Sequence, residues 1–343
     1  MIRNRRQFSA LALSLPLAWT LAGPARALAR RSLVIATGGA AADIPEGTKC
    51  AYELAIQGGA DVIAAWFAPT RDGALVAVAD HELSIATDIA RRPEFVDRRQ
   101  TRVIQGGERT GWFVEDFTLG ELKTLARVAP VAKRRAGAKG DSGRAILTFE
   151  ELVAIARAGS VANARVVGIQ AGLLHPAYFA ARDLALEPRM AGAIRVAAYD
   201  SPAAAMWVMS EDSDALATIG GLARVRRVLF IGSSGLDALS PAVLKAGRTR
   251  SEVVAIAADR LLDLTTTKTV PPTSVIADAH AAGYAVQAWT TGVAQPFPPP
   301  PYRPGDTRRL LAALFAADAD AVAGDLAAPI ARARADAAPE TRG

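Results

Sequence analysis

Across roughly 300 residues the chain alternates short apolar, strand-like runs with stretches of helical periodicity, and that alternation limits the fold to repeated βα units. The strand-like runs fall at Ser32 to Thr37, Val62 to Phe67, Leu75 to Val78, Arg165 to Ala171, Ala193 to Ala198, Arg227 to Ile231, Glu252 to Ala257, Ala285 to Thr290 and Ala321 to Gly324. Helical patterns occupy Thr48 to Gln57, Phe149 to Ala158, Pro176 to Ala185, Ser274 to Ala282 and Thr307 to Ala317. Thr148 is placed to cap the helix opening Phe149-Glu150-Glu151, with Glu151 completing a capping box and Gly159 ending it; Ser274 and Gly283 bracket another. No GxGxxG turn accompanies these units, so they predict an α/β fold of the (β/α)8 TIM-barrel type rather than a doubly wound dinucleotide sheet. The stretch from Ser84 to about Gly143 is polar and weakly periodic, with Phe117 to Ala126 as its one helical segment. A connection of that size after an early strand reads as a functional or family-specific insertion. Pro296 to Pro301, after the strand ending at Thr290, reads as a stiffened loop near the barrel mouth.

The first 29 residues combine a basic start, an apolar run of about a dozen residues and small residues at Ala25, Ala27 and Ala29, the layout of an export signal cleaved after Ala27 or Ala29. Arg5-Arg6 followed by Gln7 and Phe8 matches the core of a twin-arginine signal. The apolar run is shorter than the ~20 residues of a membrane span and is broken by Pro16 and Gly23, which predicts no stable span after cleavage. The expected organisation is therefore a signal at 1–29, a barrel at 30–335 with its insertion at about 84–143, and a disordered tail at 336–343, in a periplasmic or otherwise exported protein. A hydrophobic content of 51% against 22% charged residues supports a folded globule. The leader holds Arg3, Arg5, Arg6 and Arg26 and no acidic residue, so the formal charge of +6 falls to +2 without it. A nucleic-acid partner is thus not expected. Lys133, Arg134, Arg135 and Lys139 lie among glycines and alanines and read as a solvated loop. Cys50 is the sole cysteine, which excludes an intrachain disulfide and a multi-cysteine zinc site; its apolar neighbours predict a buried, inert thiol.

A series of short segments in order carries a resemblance over nearly the whole of the chain after the leader. These are Val34 to Ala40, Pro45-Glu46-Gly47-Thr48, Gly59-Ala60-Asp61, Thr70-Arg71-Asp72-Gly73, Asp80-His81-Glu82-Leu83, Ala86-Thr87-Asp88, Asp116 to Leu122, Leu147 to Glu151, His175-Pro176, Trp289-Thr290 and Gly324-Asp325 before Pro329. Together they make the chain resemble the bacterial exported branch of the glycerophosphodiester phosphodiesterases, a metal-dependent barrel family. The resemblance implies a phosphoric diester hydrolase frame with a divalent-cation site.

The family's working side chains are replaced at nearly every position. Where the family has His-Arg-Gly this chain has Thr37-Gly38-Gly39, and Ala79 stands for the second acid/base His. The acidic metal ligands become Ala64, Trp66 and Gly172, and Leu174 stands for the lysine of Glu-x-Lys; Glu46 survives. A hard cation is held by several carboxylate and carbonyl oxygens, so a methyl and an indole at two neighbouring inward positions leave no such shell. No metal, cofactor or family catalytic residue is therefore expected. Glu46, Trp66, Asp80, His81, Tyr199 and Trp289, together with Thr37, are the candidates to line a remodelled mouth. His81 reads as a surface or supporting histidine, and His175 and His280 as structural. Two expectations follow: a catalytically silent exported protein binding a small ligand or envelope partner at that mouth, or a phosphodiesterase of glycerophosphodiesters or related lipid diesters whose site has moved to Glu46, Asp80 and His81. An adaptor using its outer surface is a third.

Overall fold

A computed structural model describes residues 31–42, 44–128, 145–232, 247–265, 270–290 and 306–337. The leader, the Lys133–Lys139 cluster, the Pro296–Pro301 run and residues 338–343 lie outside the described residues. Eight parallel strands close into a barrel: β1 (Leu33–Thr37), β2 (Val62–Pro69), β6 (Gly168–Leu173), β7 (Met206–Ser210), β8 (Arg226–Phe230), β9 (Val253–Ala257), β10 (Ala285–Trp289) and β11 (Ala321–Gly324). The short strand β3 (Leu75–Ala77) lies antiparallel on β2, and β1 pairs with both β11 and β2, which closes the ring. Alternate strand residues fill the lumen, among them Ile35, Val62, Ala64, Trp207, Met209, Val228, Ala255, Ala321 and Ala323. The intervening residues pack under the helices, so each strand is buried on both faces, as parallel barrel strands are.

Helices α1 (Lys49–Gln57) and α3 (Phe149–Ala162) begin as their sequences predict. Thr48 caps the first, and Thr148 and Glu151 form the full capping box of the second. The second helix continues three residues past Gly159 to an Asn163 cap, and Gly159 packs closely on Ile56: a Cβ there would lie 2.8 Å from Ile56 Cδ1. The Pro176–Ala185 helix shortens to α4 (Pro176–Ala180); after a turn with Asp183 at φ 57°, a separate helix α5 (Leu186–Val196) follows beyond it. The strand expected at Ala193 to Ala198 is thus the end of α5, and the fourth barrel strand is Met206–Ser210. Leu186, Met190, Ala191 and Ile194 share one buried helical stripe, a period that a short window over the last of them cannot display. Among the described residues the remaining helices are α6 (Ser213–Leu222), α7 (Ala258–Leu261), α8 (Val275–Ala281), α9 (Thr307–Ala316) and α10 (Ala327–Ala337). The last runs into the expected tail, where Asp336 accepts from Arg308 at 2.7 Å.

The insertion is more structured than its sequence suggests. It holds a two-stranded hairpin, β4 (Gln100–Ile104) and β5 (Gly107–Gly111), turned at Gln105 and Gly106, both with positive φ. The Phe117–Ala126 helix reduces to α2 (Leu119–Leu122), with a capping box of Thr118 and Glu121. The hairpin strands are mostly exposed, so no apolar alternation betrays them. Cys50 is exposed on α1, contrary to the buried position expected, because the buried face of that helix is carried by Ala51, Tyr52, Ala55 and Ile56. Among the described residues no helix is long and apolar enough to cross a membrane.

Candidate functional site

The carboxyl ends of the barrel strands form the mouth, where TIM-barrel sites are built. After β1 the chain turns at Gly38 and Gly39, both left-handed. Gly39 is obligatory there, since a Cβ would lie 2.5 Å from the Ala51 carbonyl carbon. The turn is held by Gly38 N–H donating to Ala64 O at 2.9 Å and Gly47 N–H donating to Gly38 O at 2.8 Å, which brings the Glu46 segment over the end of β1.

Trp66 and Gly172 are register partners on β2 and β6. A Cβ on Gly172 would meet Trp66 Cε3 at 2.3 Å and Cδ2 at 2.6 Å, so the indole lies directly against that glycine backbone. The two residues pack as one unit: the ring occupies the space in which a side chain at 172 would stand. Phe230 packs edge-on to Trp66 with centroids 5.4 Å apart and stacks on Trp289 at 5.2 Å, forming a row of rings across the upper lumen. Trp289 Nε1 donates to Ile231 O at 3.3 Å.

Beside this row is a cavity of about 40 Å³, lined by Thr37, Gly38, Glu46, Gly47, Tyr52, Ala65, Trp66, Ala77, Val78, Ala79 and Arg127. That volume holds a few water molecules. Arg127, from the far end of the insertion, is 2% exposed and donates Nη2 to Ala77 O, while its Nε is buried with no partner. Its backbone is fixed by Val128 N–H to Ala86 O at 2.9 Å and by Ala126 N–H to Asp88 Oδ1 at 2.9 Å. Burial lowers the Arg127 pKa, and the charge of Glu46 opposes that shift. Tyr52 donates its hydroxyl to Ala64 O at 3.2 Å, and burial raises its pKa. A guanidinium therefore sits next to the Glu46 carboxylate.

A second group of polar side chains gathers on the rim between β3 and β6. Asp80, His81 and His175 each offer a ligand atom, all within 4.8 Å of one another. His81 is fully buried, not on the surface as expected, because Phe113, Tyr178, Phe179 and His175 enclose its ring at centroid distances of 4.9 to 5.6 Å. Its backbone is clamped to the insertion, Val114 N–H donating to His81 O at 2.9 Å and Leu83 N–H to Trp112 O at 2.8 Å. Neither ring nitrogen has a hydrogen-bond partner, a cost of about 1–3 kcal/mol for each orphaned group. Burial, then the neighbouring His175, pulls the His81 pKa down to about 4, so the ring is neutral. His175 does precede a helix, as expected, but it takes a left-handed conformation (φ 46°, ψ 56°) and makes no side-chain cap bond. That backbone costs about 1–2 kcal/mol in a non-glycine residue. Arg102 of the hairpin pairs with Glu115 and Asp116 and donates to Tyr178 Oη at 3.1 Å, fastening the hairpin over α4; Arg109 pairs with Asp80.

The sequence candidates thus divide. Glu46, Trp66, Thr37 and Ala79 meet at the cavity, Trp289 lies beside it in the ring row, and Asp80 and His81 form the rim group. Leu174 is buried after β6. Tyr199 does not reach the mouth: it lies in the connection from α5 into β7, at the opposite end of the strands, with the Arg157 guanidinium 5.6 Å from its ring. Alternation had not been able to place a residue between elements whose boundaries were misread. His280 is structural as expected, its Nε2 lying 2.8 Å from Asp320 Oδ2 at the start of β11. Sequence reasoning missed Arg127, Tyr52 and Phe230. Phe230 shares the inward phase of Val228 on a recognised strand, and Arg127 is a lone charge in the apolar run Leu125 to Val128.

A family model described as the glycerophosphoryl diester phosphodiesterase family matches residues 39–312. A stretch of 143 residues is 38% identical to the glycerophosphodiester phosphodiesterase GDPD6 of Arabidopsis thaliana, covering 41% of this chain and 36% of that protein. The chain therefore spans little more than a third of that relative's length. Among solved structures, a putative glycerophosphoryl diester phosphodiesterase of Silicibacter pomeroyi aligns with a TM-score of 0.61 at 18% identity, over 90% of this chain and 95% of that one. An Oleispira antarctica phosphodiesterase in complex with sn-glycerol-3-phosphate aligns with a TM-score of 0.57 at 20% identity, over 88% and 96%. At these identities the structural likeness establishes the barrel fold.

Proposed function

Because the chain belongs to the glycerophosphoryl diester phosphodiesterase family, we propose that it is an exported pseudoenzyme of that family, silent towards glycerophosphodiesters, whose remodelled barrel mouth binds a small ligand or an envelope partner. The observation that carries this reading is the Trp66 indole lying on Gly172, across two positions where the family resemblance implies metal-binding carboxylates. The groups present do not fit a hard cation: Ala64 adds a methyl, and the buried Arg127 puts a positive charge beside Glu46. With Thr37 and Ala79 at the acid/base positions, each missing proton-transfer group removes about 10²- to 10⁴-fold in rate. The small cavity favours recognition of a partner over a deep small-molecule pocket.

Incubation of the purified chain with glycerophosphocholine and Ca²⁺ or Mg²⁺ should release no glycerol 3-phosphate above the protein-free control. Release that depends on either cation would end this reading. For export, residues 1–29 fused to a folded reporter should carry it out of the cytoplasm, and replacing both Arg5 and Arg6 with lysine should retain it; export indifferent to that change would remove the twin-arginine assignment.

One observation favours a second reading, a phosphodiesterase with a relocated site. Asp80 and His81 do come together, although with His175 rather than with Glu46. Turnover of a lipid diester that is lost in Asp80→Asn and His81→Ala would establish it, and turnover unchanged by both would remove it.

A further inference from the structure

We propose that Asp80, His81 and His175 form a binding site for a borderline divalent transition metal of the zinc type, at a place on the rim separate from the family's cation position in the lumen. The argument begins with convergence from distant segments: two ligands follow β3 and the third follows β6, yet their ligand atoms lie within 4.8 Å of one another. In a tetrahedral zinc site with bonds of ~2.0–2.1 Å, ligand atoms stand about 3.4 Å apart.

The second observation is the unsatisfied state of His81. Its ring is fully buried among aromatic edges, and both nitrogens lack a partner. Buried polar atoms in folded proteins are almost always paired, so a buried imidazole whose nitrogens lack partners keeps a nitrogen open to a ligand. An exposed histidine pair would carry no such implication. The third observation is the left-handed backbone of His175, which the fold maintains at the residue whose ring lies 5.0 Å from that of His81.

The donor set names the class of ion. Two imidazole nitrogens and one carboxylate suit Zn²⁺, Co²⁺, Ni²⁺ or Cu²⁺, whereas Ca²⁺ and Mg²⁺ require a shell of six or more oxygens. Three protein ligands leave a fourth position for water or an anionic group of a partner. Arg109 of the β4–β5 hairpin pairs with Asp80 Oδ2, while Oδ1 accepts from Glu82 N–H at 3.1 Å. The Arg109 side chain is 44% exposed and can swing into water, so it acts as a competing cation.

The test uses the untagged full chain, stripped with a chelator and titrated calorimetrically with Zn²⁺, with Co²⁺ as a spectroscopic probe. We expect one ion per chain, a visible Co²⁺ band of four-coordinate intensity, a rise in thermal midpoint with Zn²⁺ and no response to Ca²⁺. His175→Ala and Asp80→Asn, both at partly exposed positions, should each weaken Zn²⁺ binding at least about tenfold and change the Co²⁺ spectrum. His81→Ala, checked for folding by circular dichroism, should abolish the band. Arg109→Ala should tighten binding severalfold. Absence of stoichiometric binding, or affinity and spectrum unchanged in both His175→Ala and Asp80→Asn, would overturn the proposal. It stands apart from the reading of the barrel mouth: hydrolysis of glycerophosphocholine with Ca²⁺ would remove that reading and leave this one untouched.

Discussion

Replacing Trp66 by alanine should destabilise the chain by about 3 kcal/mol, near the lower end for a buried large aromatic because the indole is only partly buried. Gly172→Ala alone should cost about 2 kcal/mol, since its methyl would come within 2.3 Å of a rigid ring and force it from its place. The two losses should not add. With the indole gone the methyl enters free space, so the double variant should be no less stable than Trp66→Ala, giving a coupling of about 2 kcal/mol. Denaturant titrations of the four proteins measure this directly. Equal cost of Gly172→Ala in both backgrounds would show that the indole does not occupy that space. Any larger side chain at 172 would meet the same collision while Trp66 remains.

A second large effect is expected at the other end of the barrel. Asp61 Oδ2 accepts from Val34 N–H at 2.9 Å and from the Arg334 guanidinium, and Oδ1 lies 3.7 Å from Arg165. Arg334 is 8% exposed and also donates to Ser32 O at 2.8 Å. One carboxylate thus ties β1, the connection into β6 and the last helix, closing the first and last βα units. Asp61→Ala should lose about 3 kcal/mol, because it leaves a buried guanidinium without its counter-charge. Arg334→Met in that background should recover part of the loss. A midpoint unmoved by Asp61→Ala would show that the pair contributes nothing to closure. The Gly59-Ala60-Asp61 segment thus has a structural role in closing the barrel.

Much of the frame was legible in the chain. Strand runs with buried alternate residues, the Thr48 cap and the Thr148–Glu151 capping box are local signals that survive folding intact. The failures have a common form. Ala193 to Ala198 looked like a strand because the buried stripe that makes it helical starts at Leu186, and the hairpin at Gln100–Gly111 was invisible because its side chains face solvent. The burial of His81 was not legible, because what buries it comes from Phe113 in the insertion and from Tyr178 and Phe179 on α4, nearly a hundred residues away for the latter two.

By itself the sequence determined the α/β barrel class, most of its strands and the identities Thr37, Ala64, Trp66, Ala79 and Gly172 at the mouth, since these depend on residue type and period. Only the tertiary structure decided that Trp66 fills the space above Gly172, that Arg127 stands against Glu46, and that Asp80, His81 and His175 converge. Those are contacts between segments separated by tens of residues, and they are fixed by strand register and by the path of the insertion, which no local pattern encodes.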